Sequence, residues 1–307
     1  MTDDRPVRLL VLGATGMLGH RVCLAASAAD DVELWATVRT ADPTDSPVPA
    51  VAVAPDRLLG GLQAHIHPSA IADRLDEVLA IARPDVVVNA IGLVKQRPDG
   101  DDEAANEAVN ARFPHLVAQR AAAAGARTIH LSTDCVFDGQ RGGYAEHEAP
   151  SATDAYGRSK AAGEPDGPGV LVLRTSMIGR ELRGAAGLLE WFLAAPAPVT
   201  GYARAHFSGL TTPVLAELLL DLARRPAPLT GRFHVAADPI DKASLLRLLG
   251  RHYRPGVEVV ALDEPAIDRT LDGRRFREAA GFVAPPWPEM VAALAADPAP
   301  YATWRPS

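Results

Sequence analysis

Residues 7–19, VRLLVLGATGMLG, restrict the fold of this chain more than any other stretch. An apolar run of strand type, residues 9–12, stops at Gly13, and Gly16 and Gly19 follow at three-residue steps into a helical pattern. The reading is a first β-strand, a tight turn and a helix whose N-terminus faces that turn. Unpaired backbone N–H groups and the positive end of the helix dipole together make a seat for a pyrophosphate. Glycine serves there because a side chain would block either the turn or the approach of phosphate to backbone. The spacing is G-x-x-G-x-x-G rather than the commoner G-x-G-x-x-G, and an ordinary strand-to-helix turn is its competing explanation.

The remaining N-terminal half alternates strand and helix. A helix is expected over 17–29 and a second strand over 32–38. That strand ends in Arg39 and Thr40 with no carboxylate before Asp42. In a dinucleotide fold an acidic residue there bonds the adenosine ribose, whereas a basic one accommodates a 2′-phosphate. Arg39 therefore favours NADP(H), with NAD(H) as the alternative. A short third strand is expected within 58–66, and His65 and His67 with no carboxylate cluster beside them do not make a metal site. A helix over 69–82 precedes the continuous apolar strand 85–91, whose texture fits a central parallel strand buried on both faces. It ends in Asn89-Ala90-Ile91, where open α/β sheets place their ligands, and Lys95 and Gln96 follow on a loop. One long helix is expected over 103–124, with Asn110 as a polar residue in its alanine-rich middle. The strand 127–132 completes a pattern that means a doubly wound parallel sheet.

Hydroxyl and carboxylate groups cluster just past that strand, in Ser132-Thr133-Asp134-Cys135. After a loop, Tyr156 and Lys160 open a helix, and four-residue spacing puts both on one face. A phenol with a reference pKa of about 10 shuttles protons poorly at neutral pH. A neighbouring ammonium is expected to lower that pKa and suit the pair to acid/base work, with Thr133 holding a substrate oxygen.

The segments GATGMLG, STDCVFDG and YGRSKAAGE together resemble the extended short-chain dehydrogenase/reductase family, closest to its dTDP-4-dehydrorhamnose reductase-like branch. The resemblance covers the first 180 residues well. It implies a Rossmann-like domain over 1–180 and a smaller α+β lobe over 181–307 that binds the nucleotide sugar, with some chain crossing back to the sheet. On matching positions, Gly13, Thr15, Gly16, Met17, Leu18 and Gly19 would cradle the dinucleotide phosphates, and Asn89, Ala90, Ile91 and Thr175 would line the cofactor cleft. Thr133, Tyr156 and Lys160 would be the catalytic set, with Tyr156 as general acid and Lys160 also on the nicotinamide ribose. Thr133, Asp134 and Val136 would face the sugar, and Arg204 and Arg269 are candidates for its diphosphate, since guanidinium groups suit phosphate oxygens.

Two departures stand out: residues 62–68 lack the acidic pair common near the adenine, and IGLVKQ after the fourth strand differs from the usual wording. The implied activity is NADPH-dependent reduction of a nucleotide-activated 4-keto sugar. Epimerisation or dehydration on the same scaffold, and a cofactor-binding regulatory subunit without catalysis, are the rivals.

Bulk properties agree with a globular enzyme. At 307 residues and 48% hydrophobic the chain has ample core, and its net charge of −7 argues against nucleic acid or an anionic membrane as main partner. Cys23 and Cys135 form no disulfide framework. The acidic N-terminus is unlike a secretory signal, and no run reaches membrane-span length, so a cytoplasmic protein is expected, with a homodimer left open.

Overall fold

The computed structural model describes residues 5–49, 52–65, 68–95, 102–226 and 228–304. Gln96 and His67, singled out above, lie outside them. In chain order the first elements are β1 (Val7–Leu12), α1 (Gly19–Ser27), β2 (Val32–Thr37), β3 (Leu58–Leu59), α2 (Pro68–Ala82) and β4 (Val86–Asn89). Then come α3 (Glu103–Asn106), a π-helical segment (Glu107–Arg112), α4 (Phe113–Ala123), β5 (Arg127–Thr133), α5 (Ala155–Ala162) and β6 (Val170–Thr175). A strand from the C-terminal third, Gly231–His234, pairs with β6 and completes a seven-stranded sheet.

The strand order is Gly231–His234, β6, β5, β4, β1, β2, β3, with every pair parallel. The order reverses between β1 and β4, and such switch points open a crevice beyond the carboxyl ends of the strands. Alternation along the strands divides the core in two. Leu9, Val11, Val86 and Val88 face α1 and the helix Thr212–Arg224, whereas Leu10, Leu12 and Val87 face α2 and α4 through Leu75, Val78 and Val117. All of these side chains are buried, as expected of a parallel sheet covered on both faces.

The expected helix over 103–124 is continuous, but its middle widens into π geometry. Asn110 explains the widening. Its Oδ1 accepts from the Leu93 N–H at 3.0 Å, its Nδ2 donates to the Leu93 carbonyl at 3.3 Å, and a Cβ on Gly163 would overlap its own carbonyl oxygen. The bulge thus pins the loop after β4 and lets α5 close in. Such bulges concentrate at functional sites.

Beyond residue 180 the chain alternates between the sheet and a smaller layer. Helix Thr212–Arg224 packs on α1, while Ala205–Phe207 pairs with Ile240–Asp241 and Ile267–Asp268 in a separate three-stranded sheet. A bridge between Tyr144 and Leu271, with the Asp268 N–H donating to the Gly139 carbonyl at 2.7 Å, ties this layer to the loop after β5. Among the described residues no helix is long and apolar enough to cross a membrane.

Candidate active site

Two strand ends meet at the switch point. After β1, Gly13 takes φ +90°, a left-handed conformation that glycine adopts without strain, and its carbonyl accepts from the Gly16 N–H at 3.0 Å. Helix α1 starts at Gly19, two residues later than periodicity predicts, and a Cβ at Gly19 would overlap the Gly13 carbonyl. No side chain caps its first turn and no acidic residue stands in it, a helix N-terminus of the kind that suits an anion. Thr15, Gly16 and Met17 are partly accessible, whereas Leu18 is buried in the core and can offer only backbone.

After β4, the Asn89 side chain is spent on structure. Its Oδ1 accepts from the Ile91 N–H at 3.1 Å and its Nδ2 lies 3.2 Å from His130 Nδ1, leaving Ala90 and Ile91 to wall the crevice. At the end of β2, Arg39 is exposed and the neighbouring Thr40 hydroxyl is buried with no hydrogen-bond partner among the described residues. A guanidinium beside an unpaired buried hydroxyl fits a phosphate group.

The reactive groups converge at the ends of β5 and β6. Thr133 donates to Asp134 Oδ1 at 3.1 Å and accepts from the Cys135 N–H at 3.1 Å; both Thr133 and Asp134 are buried. Thr175 pairs in register with Thr133 across the sheet. Asp154 caps α5 by accepting from the Gly157 N–H at 2.7 Å, and Lys95 donates to its other oxygen at 3.1 Å.

Burial pushes the Tyr156 phenol up, with the negative groups Cys135, Asp134 and Asp154 adding to the rise and a Thr133 hydrogen bond opposing it. This corrects the expectation that Lys160 lowers the phenol's pKa. The Lys160 ammonium instead donates to the Leu131 carbonyl at 2.7 Å, and burial brings it down to about 8 against the pull of Glu164. The phenol is therefore proton-loaded at neutral pH. Burial likewise raises Asp134, opposed first by Lys242.

The predicted residues do not all converge here. Arg269 is drawn in: its Nε donates to the Phe137 carbonyl at 3.0 Å, and its charge acts on Asp134. Arg204 pairs with Glu264 at 3.6 Å on the surface, with 60% and 77% of the two side chains exposed. Val136 is sealed with Phe137, Tyr144 and Leu271. Among the described residues no group of three or more His, Cys, Asp or Glu side chains is arranged to hold a metal ion.

Sequence reasoning missed Lys242. Its ammonium lies 3.5 Å from the Phe207 ring centroid and acts on Asp134 from the helix Lys242–Tyr253. A signal for it existed. The chain has only three lysines against twenty-eight arginines, and all three belong to this region: Lys95 on Asp154, Lys160 on the Leu131 carbonyl of β5, and Lys242 opposite Asp134. Where arginine serves almost every other basic position, lysine marks places that need a compact charge whose pKa shifts on burial.

Behind the site, His234 is buried and neutral. Its Nε2 accepts from Arg174 Nη1 at 3.3 Å, so Nδ1–H donates to the Tyr144 carbonyl at 2.9 Å. Burial lowers its pKa to about 4. Between pH 6.5 and 4 the unfolded chain takes up a proton that the folded one refuses, so stability falls with pH across that window, by up to about 1.4 kcal/mol per unit. Melting curves are expected to show this fall, and the slope should be shallower in His234→Asn. An equal slope in the variant would exclude His234 as its source.

The family model described as RmlD substrate binding domain matches residues 7–240. The chain is 32% identical over 165 residues to a dTDP-4-dehydrorhamnose reductase of Mycobacterium tuberculosis, covering 52% of this chain and 45% of that protein. It is 31% identical over 158 residues to methionine adenosyltransferase 2 subunit beta of Rattus norvegicus, covering 51% and 41%. The matched stretch thus spans less than half the length of either relative. Among solved structures, a dTDP-4-dehydrorhamnose reductase from Bacillus anthracis in complex with NADP superimposes with TM-score 0.77 at 17% identity, covering 94% of this chain and 98% of that one. The Bordetella bronchiseptica enzyme WbmG in complex with NAD and UDP gives 0.73 at 21% identity, covering 97% and 94%.

Proposed function

This chain belongs to the RmlD substrate binding domain family, and on that premise we propose that it reduces a nucleotide-activated 4-keto sugar at the expense of NADPH. The observation that carries the reading is the convergence of Thr133, Tyr156 and Lys160 beside an uncapped helix N-terminus at the switch point of the sheet. Backbone N–H groups of Thr15 and of residues 17–19 would hold the pyrophosphate, and Arg39 with the unpaired Thr40 hydroxyl would hold the 2′-phosphate. Bound NADPH supplies the hydride. Thr133 orients the sugar's carbonyl oxygen, Tyr156 gives it a proton, and Lys160 holds a positive charge beside the developing negative one. Lys242 and Arg269 present an excess of positive charge over Asp134, suited to the sugar's diphosphate in a chain that is negative overall.

The test is NADPH oxidation with dTDP-4-dehydrorhamnose, with NADH in parallel. We expect turnover with NADPH preferred, a basic limb near pH 8 as Lys160 loses its proton, and a preference cut by about tenfold or more in Arg39→Ala. Sugar conversion without net NADPH consumption would favour a hydride-recycling epimerase or dehydratase. The match to a methionine adenosyltransferase subunit favours a second reading, a dinucleotide-binding subunit of another enzyme. Tight NADPH binding without any turnover would select it.

A further inference from the structure

Glu164 follows α5, two residues past its last residue Ala162, and both it and Arg174 are sealed from solvent. Ser132 Oγ donates to Oε1 at 2.6 Å, Arg174 Nε to Oε1 at 2.7 Å and Arg174 Nη2 to Oε2 at 2.8 Å, while Arg232 Nε lies 2.7 Å from Oε2. Arg174 extends the network to His234 and lays its guanidinium 5.1 Å from the Phe137 ring centroid. One carboxylate thus joins the strand residue before Thr133, the strand residue before Thr175, the strand Gly231–His234 and the helix that carries Tyr156 and Lys160. Burying such charges is costly, and an apolar replacement often serves stability as well. The network is better explained by what it holds in place.

Around the Lys160 ammonium, β5 contributes the Leu131 carbonyl and His130, a ring that burial keeps neutral. The π-helical segment contributes the neutral Asn110 near Gly92, while Arg174 on β6 is engaged by Glu164. On α5 stands the protonated Tyr156, and two residues past its end stands Glu164, the group that favours the charged lysine. We propose that Glu164 is a positioning residue of this site, which locks Thr133, Thr175 and Lys160 in one register and sets a carboxylate behind the Lys160 ammonium. The inference rests on the reading of Lys160 as a working part of the site.

With only three lysines to assign, the titration of Lys160 is readable by NMR in free protein labelled with 13C-lysine, without cofactor or sugar. Glu164→Gln is expected to lower its midpoint by about one pH unit or more. Arg232→Met, which removes a cation from the far side of the carboxylate, is expected to raise it. A purely structural role gives no reason for shifts of opposite sign. An unmoved midpoint in folded Glu164→Gln overturns the proposal. If that variant does not fold, Arg232→Met decides, because Arg232 is partly exposed and its loss is better tolerated: an upward shift supports the proposal, and no shift or a downward one overturns it. Inactive wild-type protein would count against the reductase reading alone, since this titration needs no turnover.

Discussion

Tyr156→Phe is expected to lower turnover by about 10²–10⁴-fold, the usual contribution of a positioned general acid, and to leave NADPH affinity nearly unchanged. The change removes one hydroxyl and keeps the ring that fills the site. It orphans little, because Thr133 retains Asp134 as acceptor and the Cys135 N–H as donor. The fold should therefore melt close to the wild-type temperature, which separates a chemical defect from a structural one. Steady-state rates, a cofactor titration and a melting curve on the same preparation check all three statements. A variant with near-normal turnover would remove Tyr156 from the mechanism and shift attention to Asp134, whose carboxyl is also held toward its protonated form by burial.

The second large effect is expected at Gly19→Ala. The added methyl would overlap the Gly13 carbonyl oxygen and stand 2.8 Å from its carbon and 3.2 Å from the Ala14 Cα. These are backbone atoms and cannot swing aside. Helix α1 would have to retreat from the turn, yet Val22, Cys23 and Ala26 are fully packed beneath it. Overpacking of this kind costs about 1–3 kcal/mol. The same displacement would move the N–H groups away from the phosphate position, and a loss of that size corresponds to about tenfold to a hundredfold in NADPH affinity. Gly16→Ala is the control, since its methyl would meet the Gly13 carbonyl at an ordinary 3.4 Å. Calorimetric titration with NADPH on both variants tests the difference, and equal affinities would argue against close packing at Gly19 as the determinant of the turn.

Much of the fold and part of the site can be read directly from local residue patterns. The apolar run ending in Gly13, the unbroken Val86–Val88 strand and the four-residue spacing of Tyr156 and Lys160 each express a short-range rule: strand burial, turn sterics or helix period. The expected helix over 103–124 had the right extent but not the right geometry, because its π turn depends on Leu93 and Gly163, which reach Asn110 only in the folded chain. Arg204 and Arg269 looked alike as arginines in polar stretches. The Ile267–Asp268 strand pairing draws Arg269 under the loop after β5, while Arg204 remains at the surface with Glu264.

The amino-acid sequence by itself determined the parallel α/β architecture and the glycine turn after β1, and it singled out Thr133, Tyr156 and Lys160 as candidates. These rest on residues adjacent in the chain or on one element. Tertiary structure alone decided which charges act on that set. Lys242 reaches Asp134 from more than a hundred residues away, Arg174 and Arg232 meet Glu164 from two neighbouring strands, and burial sets the protonation of Tyr156 and Lys160. The physical reason is range: sterics and periodicity act between neighbours, whereas desolvation and charge interaction depend on what packing brings together.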